Sequence, residues 1–172
     1  MKKKLLVIIS LLLITLTGCS NYTYDEEALA KAQKQIYHIG DTVSCPGYDV
    51  TLVDTKINNN GEYAKSGLQV SDPQWITAVL TIKNTHDDTI TFYGSDTKIE
   101  NSTGEIIEKN TFTYDVLGYE LLGSPELTPG GTKTGYVMFS NTNQDSSNIR
   151  LRVSCNEQIL GSSSYFTFKI EK

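Results

Sequence analysis

"WITAVLTIKN", Trp75 to Asn84, decides the fold. Trp75, Thr77, Val79 and Thr81 lie on one phase of a two-residue repeat; Ile76, Ala78, Leu80 and Ile82 lie on the other. A strand apolar on both phases is a central one, covered on both of its faces. Working outward from it, the same period of two recurs in "YFTFKI" (165–170), which sends Phe166, Phe168 and Ile170 inward. It recurs again in "IRLRVSC" (149–155), where Ile149, Leu151, Val153 and Cys155 share one face and Arg150, Arg152 and Ser154 the other. Val, Ile, Thr, Tyr and Phe are frequent from Ile36 onward, and no long helical period occurs there. Strands are expected at 36–45, 48–57, 75–83, 89–93, 97–100, 105–113, 119–122, 133–140, 149–155 and 164–171. "CPG", "NNNGE", "SDP", "NTHDD", "NSTGE", "TPGG", "NTNQDSSN" and "GSSS" punctuate them. Many short strands at this spacing predict an all-β sandwich or small barrel.

Two turns can be read in more detail. "ENSTGEII" is a tight hairpin in which Gly104 supplies a positive φ. In "LTPGG", Pro129 fixes φ near −65° and Gly130 takes the positive φ of a type II turn, making a corner between sheets. Leu127 and Phe139 would anchor the two sides of that corner in the core.

The residues of "ELTPGGTKTGYVMF" (126–139), "YHIGDTVSCPGYDVTLVDTKI" (37–57) and "WITAVLTIKNTHDDTITF" (75–92) resemble the telokin-like immunoglobulin-fold domains of bacterial lipoproteins and secreted antigens. The resemblance covers 36 to 172 and implies an immunoglobulin-like β-sandwich outside the cytoplasm, with no activity implied. Cys45, Cys155 and the long 58–74 loop depart from that pattern.

At the other end, Lys2, Lys3 and Lys4 precede the apolar run Leu5 to Leu16, the charged and greasy parts of a secretory signal. Twelve residues are too few to span a bilayer, which needs about 20. Leu16-Thr17-Gly18-Cys19 resembles the lipobox of bacterial lipoproteins, which implies a signal peptide of residues 1–18, diacylation of the Cys19 thiol and cleavage just before it. Residues 19–35 then form a polar tether to a domain of residues 36–172. "DEEALAKAQKQI" holds good helix formers but almost no apolar stripe, so a frayed helix or flexible spacer is expected there.

Removal of residues 1–18 takes three lysines and no acids, leaving twelve basic residues against twenty acidic ones. That balance argues against nucleic-acid binding and against a basic lipid-binding face. Cys45 and Cys155 both sit on inward phases. Outside the cytoplasm a disulfide between them is favoured over two buried thiols packing as small hydrophobes.

Chemistry is sparse. The histidines are His38 and His86, no GxSxG surrounds a serine, and no phosphate-binding glycine motif or other cofactor signature occurs. His86, Asp87 and Asp88 group in "NTHDD", but turn-forming Asn and Asp explain the cluster better than a metal does. Tyr63 and Tyr119, in the longest irregular stretches, are the residues where a binding face is expected. The expected protein is a lipid-anchored, non-catalytic extracytoplasmic lipoprotein that attaches to the membrane and binds an envelope protein, a cell-wall component or a glycan. The alternatives are an envelope enzyme or metal-dependent factor using His86-Asp87-Asp88, and a structural spacer.

Overall fold

The structure, a computed structural model, describes residues 26–59, 74–108, 118–141, 147–155 and 164–171. Its strands are β1 (Ile36–Tyr37), β2 (Thr42–Cys45), β3 (Tyr48–Asn59), β4 (Gln74–Asn84), β5 (Ile90–Thr91), β6 (Thr97–Glu100), β7 (Ile106–Glu108), β8 (Glu126–Leu127), β9 (Thr132–Ser140), β10 (Arg150–Ser154) and β11 (Tyr165–Lys169). A five-stranded sheet in the order β1-β11-β10-β6-β7 faces a four-stranded sheet in the order β2-β3-β4-β9, and β5 pairs with β8 in a small third ribbon. The strand pattern predicts a sandwich or small barrel, and the structure is a sandwich, of the immunoglobulin-like kind that the resemblance implies.

The core lies between the two large sheets. Val50, Leu52, Ile76, Leu80, Ile82, Val137 and Phe139 meet Ile99, Leu151, Val153, Phe166 and Phe168 from across the gap. As anticipated, β4 is buried on both faces. Its outward residues Trp75 and Val79 join Tyr136 and Met138 in a second cluster on the outer side of the four-stranded sheet. Val53, outward by alternation from Leu52, packs on this outer cluster, and the bulge where the β3–β4 register shifts between Leu52 and Asp54 brings Thr55 and Ile57 back to the inner face. Residues 120–122 run beside β9: the Leu122 amide donates to the Tyr136 carbonyl and the Tyr136 amide to the Glu120 carbonyl, each at 2.9 Å. The approach is so close that a Cβ on Gly135 would lie 2.7 Å from the Leu122 Cα, so only glycine fits.

The expected strand 36–45 is divided. Gly40 takes φ +91° and the Asp41 carboxylate accepts the His38 amide at 2.8 Å. The chain therefore leaves β1, parallel to β11 in one sheet, and enters β2 in the other. This explains why Asp41 breaks the apolar phase and why Ile39 is exposed. The spacer also differs from expectation. Helix α1 (Glu26–Gln33) packs Leu29 and Ala32 against the core beside β11, and the Tyr37 hydroxyl donates to the Ala32 carbonyl at 3.2 Å. Burial and the nearby Asp41 carboxylate both push the Tyr37 hydroxyl pKa above its ordinary value. Two small apolar contacts, invisible as a stripe, suffice because the sandwich supplies the surface for them.

The "LTPGG" corner forms as read: Gly130 has φ +73°, and the Gly131 amide donates to the Thr128 carbonyl at 2.7 Å. The hairpin at Gly104 (φ +82°) forms likewise between β6 and β7. Asn84, fully buried at the end of β4, pins the corner. Its Nδ2 donates to the carbonyls of Asp88 and Leu127, both at 2.8 Å, while its Oδ1 accepts the His86 amide at 2.7 Å. Its backbone bonds to Gly130 and Gly131. Asn84→Ala removes the partners of several buried groups at once and should lower the unfolding free energy by about 2–3 kcal/mol in urea titration; an unchanged midpoint would show that the two turns do not depend on this amide.

Cys45, at the end of β2, is bonded to Cys155, just beyond β10, with Cα atoms 5.5 Å apart and both residues buried. The bridge links the two sheets across 110 positions of sequence. Beside it, the Tyr48 hydroxyl on β3 donates to the Ser154 carbonyl at 3.1 Å. Closing so long a loop restricts the unfolded chain by about 4–5 kcal/mol in the chain-entropy account. Reduction, or the Cys45→Ala/Cys155→Ala variant, should lower the denaturation midpoint accordingly, with coincident midpoints for the oxidised and reduced protein as the opposing result.

Candidate functional site

Two regions gather polar side chains. The first is the turn after β4. The imidazole of His86 does not stand open to a ligand: its Nδ1 accepts the Asp88 backbone amide at 3.0 Å, which places the ring proton of the neutral form on Nε2. The Asp88 carboxylate is 3.6 Å from the same nitrogen and almost fully exposed. Asp87 is exposed too. The histidine and both aspartates thus serve a turn closed by Asn84, its own side chain and backbone knitting the loop together. Among the described residues no three His, Cys, Asp or Glu side chains come together as a metal would need.

The second region is the outer face of the five-stranded sheet. Period-two alternation that buries Ile99, Leu151, Val153, Phe166 and Phe168 necessarily turns their neighbours to the surface. Antiparallel register then places Lys98 of β6 opposite Arg152 of β10, and Arg150 of β10 opposite Lys169 of β11. Glu100 stands opposite Arg150, and Glu108 opposite Lys98. The Arg152 guanidinium lies over the Tyr165 ring, 3.5 Å from its centre, and 3.4 Å from a Glu100 carboxylate oxygen. Stacking and ion pairing together hold Arg152 flat on an exposed tyrosine. Ile36, on edge strand β1 in register with Thr167, is exposed beside it.

The other sequence-selected residues fall apart from these regions. Cys19 and Tyr63 lie outside the described residues. Tyr119 is half-buried and packs on the Trp75–Tyr136 cluster. Its neighbour Glu120 pairs with Lys133, whose ammonium holds the carboxyl below the ordinary glutamate range. Both groups are solvated, which keeps that pairing weak. His38 is exposed, and its Nδ1 lies 2.9 Å from the Glu171 carboxylate. The basic face escaped sequence reading although half its signal was legible: Arg150 and Arg152 share a phase, but only the pairing register brings Lys98 and Lys169 to them.

Comparison with known structures returns the same sandwich. The yjhA protein of Bacillus subtilis superposes with a TM-score of 0.59 at 15% identity, covering 79% of this chain and 100% of that one. A functionally unknown protein of Listeria monocytogenes gives 0.57 at 13% identity, over 76% of this chain and 80% of that one. The "putative lipoprotein (ycdA)" of Bacillus subtilis gives 0.54 at 16% identity, over 76% of this chain but 38% of that one. MPT63, a secreted protein from Mycobacterium tuberculosis, gives 0.51 at 12% identity over 81% of this chain and 99% of that one. At such identities these likenesses concern the fold. No curated protein matches the sequence. One family model does match it, over residues 37–163, from β1 past the end of β10. With that span covering most of the sequence and nearly all of the sandwich, the chain belongs to the DUF4352 family, a domain of unknown function.

Proposed function

We propose that this protein is an extracytoplasmic lipoprotein, held to a membrane by acyl chains on Cys19, whose sandwich acts as a non-catalytic binding or accessory module. The observation that carries this reading is the buried Cys45–Cys155 bridge between the sheets. Disulfides of this structural kind form and persist in oxidising compartments. The leader ending in Leu16-Thr17-Gly18-Cys19 supplies the means of export and of anchoring. A "putative lipoprotein" and a secreted protein among the similar folds agree with that address. A non-catalytic role is supported by what the polar groups do: His86 closes a turn, and His38 lies against Glu171.

Acylation is tested by growing cells with clickable palmitate and probing the purified protein. Label is expected on the wild type and absent from Cys19→Ala, with the variant accumulating unprocessed or released from membranes. Unlabelled wild-type protein, or membrane retention unchanged in the variant, would remove the anchor from the account. The metal-dependent alternative has its own check in calorimetry with Ca²⁺ and Zn²⁺. Because the His86 Nδ1 is engaged by backbone, wild type and Asp87→Ala/Asp88→Ala should give the same heats. A tight isotherm lost in the variant would favour the metal.

A further inference from the structure

The positive strip on the outer face of the five-stranded sheet runs against the balance of the chain. Twenty acidic residues outnumber twelve basic ones after Gly18, yet this face carries Lys98, Arg150, Arg152 and Lys169 against Glu100 and Glu108. Lys98 faces Arg152 and Arg150 faces Lys169, like charges directly opposite one another that offset part of what Glu108 opposite Lys98 and Glu100 opposite Arg150 contribute. An anionic surface spanning the three strands would ease both repulsions.

We propose that this face docks on anionic phospholipid headgroups and lays the domain against the leaflet that carries its anchor. The second half rests on the acylation of Cys19 proposed above; the first half does not. Charge complementarity is one argument. Each Lys or Arg held near an anionic leaflet improves partition about fivefold, so four cations outweigh two carboxylates, one of which is already paired with Arg152. The exposed apolar groups are a second. Tyr165 beneath the Arg152 guanidinium and Ile36 at the sheet edge belong to the side-chain types that suit the boundary between headgroups and acyl chains.

Reach is the third argument. Helix α1, packed on the sandwich, begins at Glu26, seven positions after Cys19. Seven residues span at most about 25 Å however they run. The chain then enters the sandwich through β1, the edge strand of this same sheet. A bilayer holding Cys19 is therefore within reach of the face, whereas a distant cell-wall polymer gains nothing from so short a leash.

The test uses the mature chain from residue 19 carrying Cys19→Ser, so that no acyl group contributes. It is mixed with phosphatidylcholine vesicles with and without phosphatidylglycerol, at low and at physiological salt, and bound protein is measured by co-sedimentation. Binding is expected to favour the anionic vesicles by about tenfold or more at low salt and to weaken as salt screens the face. Lys98→Gln/Arg150→Gln/Arg152→Gln/Lys169→Gln should lose that preference. Lys56→Gln/Lys83→Gln, exposed on the other sheet, should keep it within about twofold. Circular dichroism verifies folding, and if the quadruple variant fails to fold, Lys98→Gln/Lys169→Gln carries the comparison. No preference for anionic vesicles, or equal loss in both sets of variants, overturns the proposal. So does tight binding of soluble poly(glycerol phosphate) with vesicles ignored. Because the chain is unacylated, failure here leaves the anchor untouched, and failure of palmitate labelling leaves this docking untouched.

Discussion

From Gln74 to Leu80, strand β4 has water on neither side, and the rest of the domain is arranged to keep it so. Its inward residues Ile76, Ala78, Leu80 and Ile82 are covered by the five-stranded sheet. Its outward residues Trp75, Thr77 and Val79 are just as buried. Leaving a side chain such as Trp75 or Val79 in water would forfeit about 1.5–3 kcal/mol apiece, so a second cover has to exist on the outer side. Part of it comes from Tyr119 and Leu121, on the segment that runs beside β9. The glycine at 135 follows from this demand: the covering segment comes within a Cβ's radius of β9, and no larger residue leaves it room. Asn84 then ends the buried strand by satisfying, with one amide, the polar groups of two turns that converge there.

Much of this was legible in the chain. The two-phase apolar pattern of 75–84, the inward phases of 149–155 and 165–170, and the Pro129-Gly130 corner each encode their structure locally, through period and backbone dihedral preference. What was not legible depended on register or on contacts distant in sequence. "YHIGDTVSC" reads as one strand because both halves are strand-like; the break at Gly40 and Asp41 shows only as a phase fault. The β5–β8 ribbon was half missed because Glu126–Leu127 is too short to carry a period. Helix α1 looked too polar to pack, since Leu29 and Ala32 make no stripe of their own and acquire meaning only against β11. The packing of Tyr119 on the outer cover of β4 is likewise a contact distant in sequence.

Charge shows the same division between composition and placement. Counting residues predicts an acidic surface without a basic face, and the count is right as a sum. It fails locally because antiparallel pairing is indifferent to the identity of outward residues as long as the inward phase is apolar. Lys98, Arg150, Arg152 and Lys169 come from three strands, separated by as many as 71 positions, and the register set by Ile99, Leu151 and Phe168 delivers them to one patch. A sheet that had nothing to gain from the patch would lose little by exchanging one cation of each pair for an acid, as Glu100 beside Arg150 already illustrates.

The proposed anchor and the proposed docking face would divide the work unequally. At about 0.8 kcal/mol for each buried methylene, two acyl chains retain a protein without help. Four lysines and arginines add little to retention and are easily screened. What they can change is orientation. An anchor at Cys19 limits distance but does not by itself choose an attitude, and a preference of even tenfold for one face selects among attitudes. Docking through the five-stranded sheet would turn the opposite side outward: the four-stranded sheet with its covering segment. The inter-sheet bridge then gains a mechanical meaning, because a load on the outward sheet would pass to the anchored one through the covalent link of Cys45 and Cys155 as well as through the packed apolar interface.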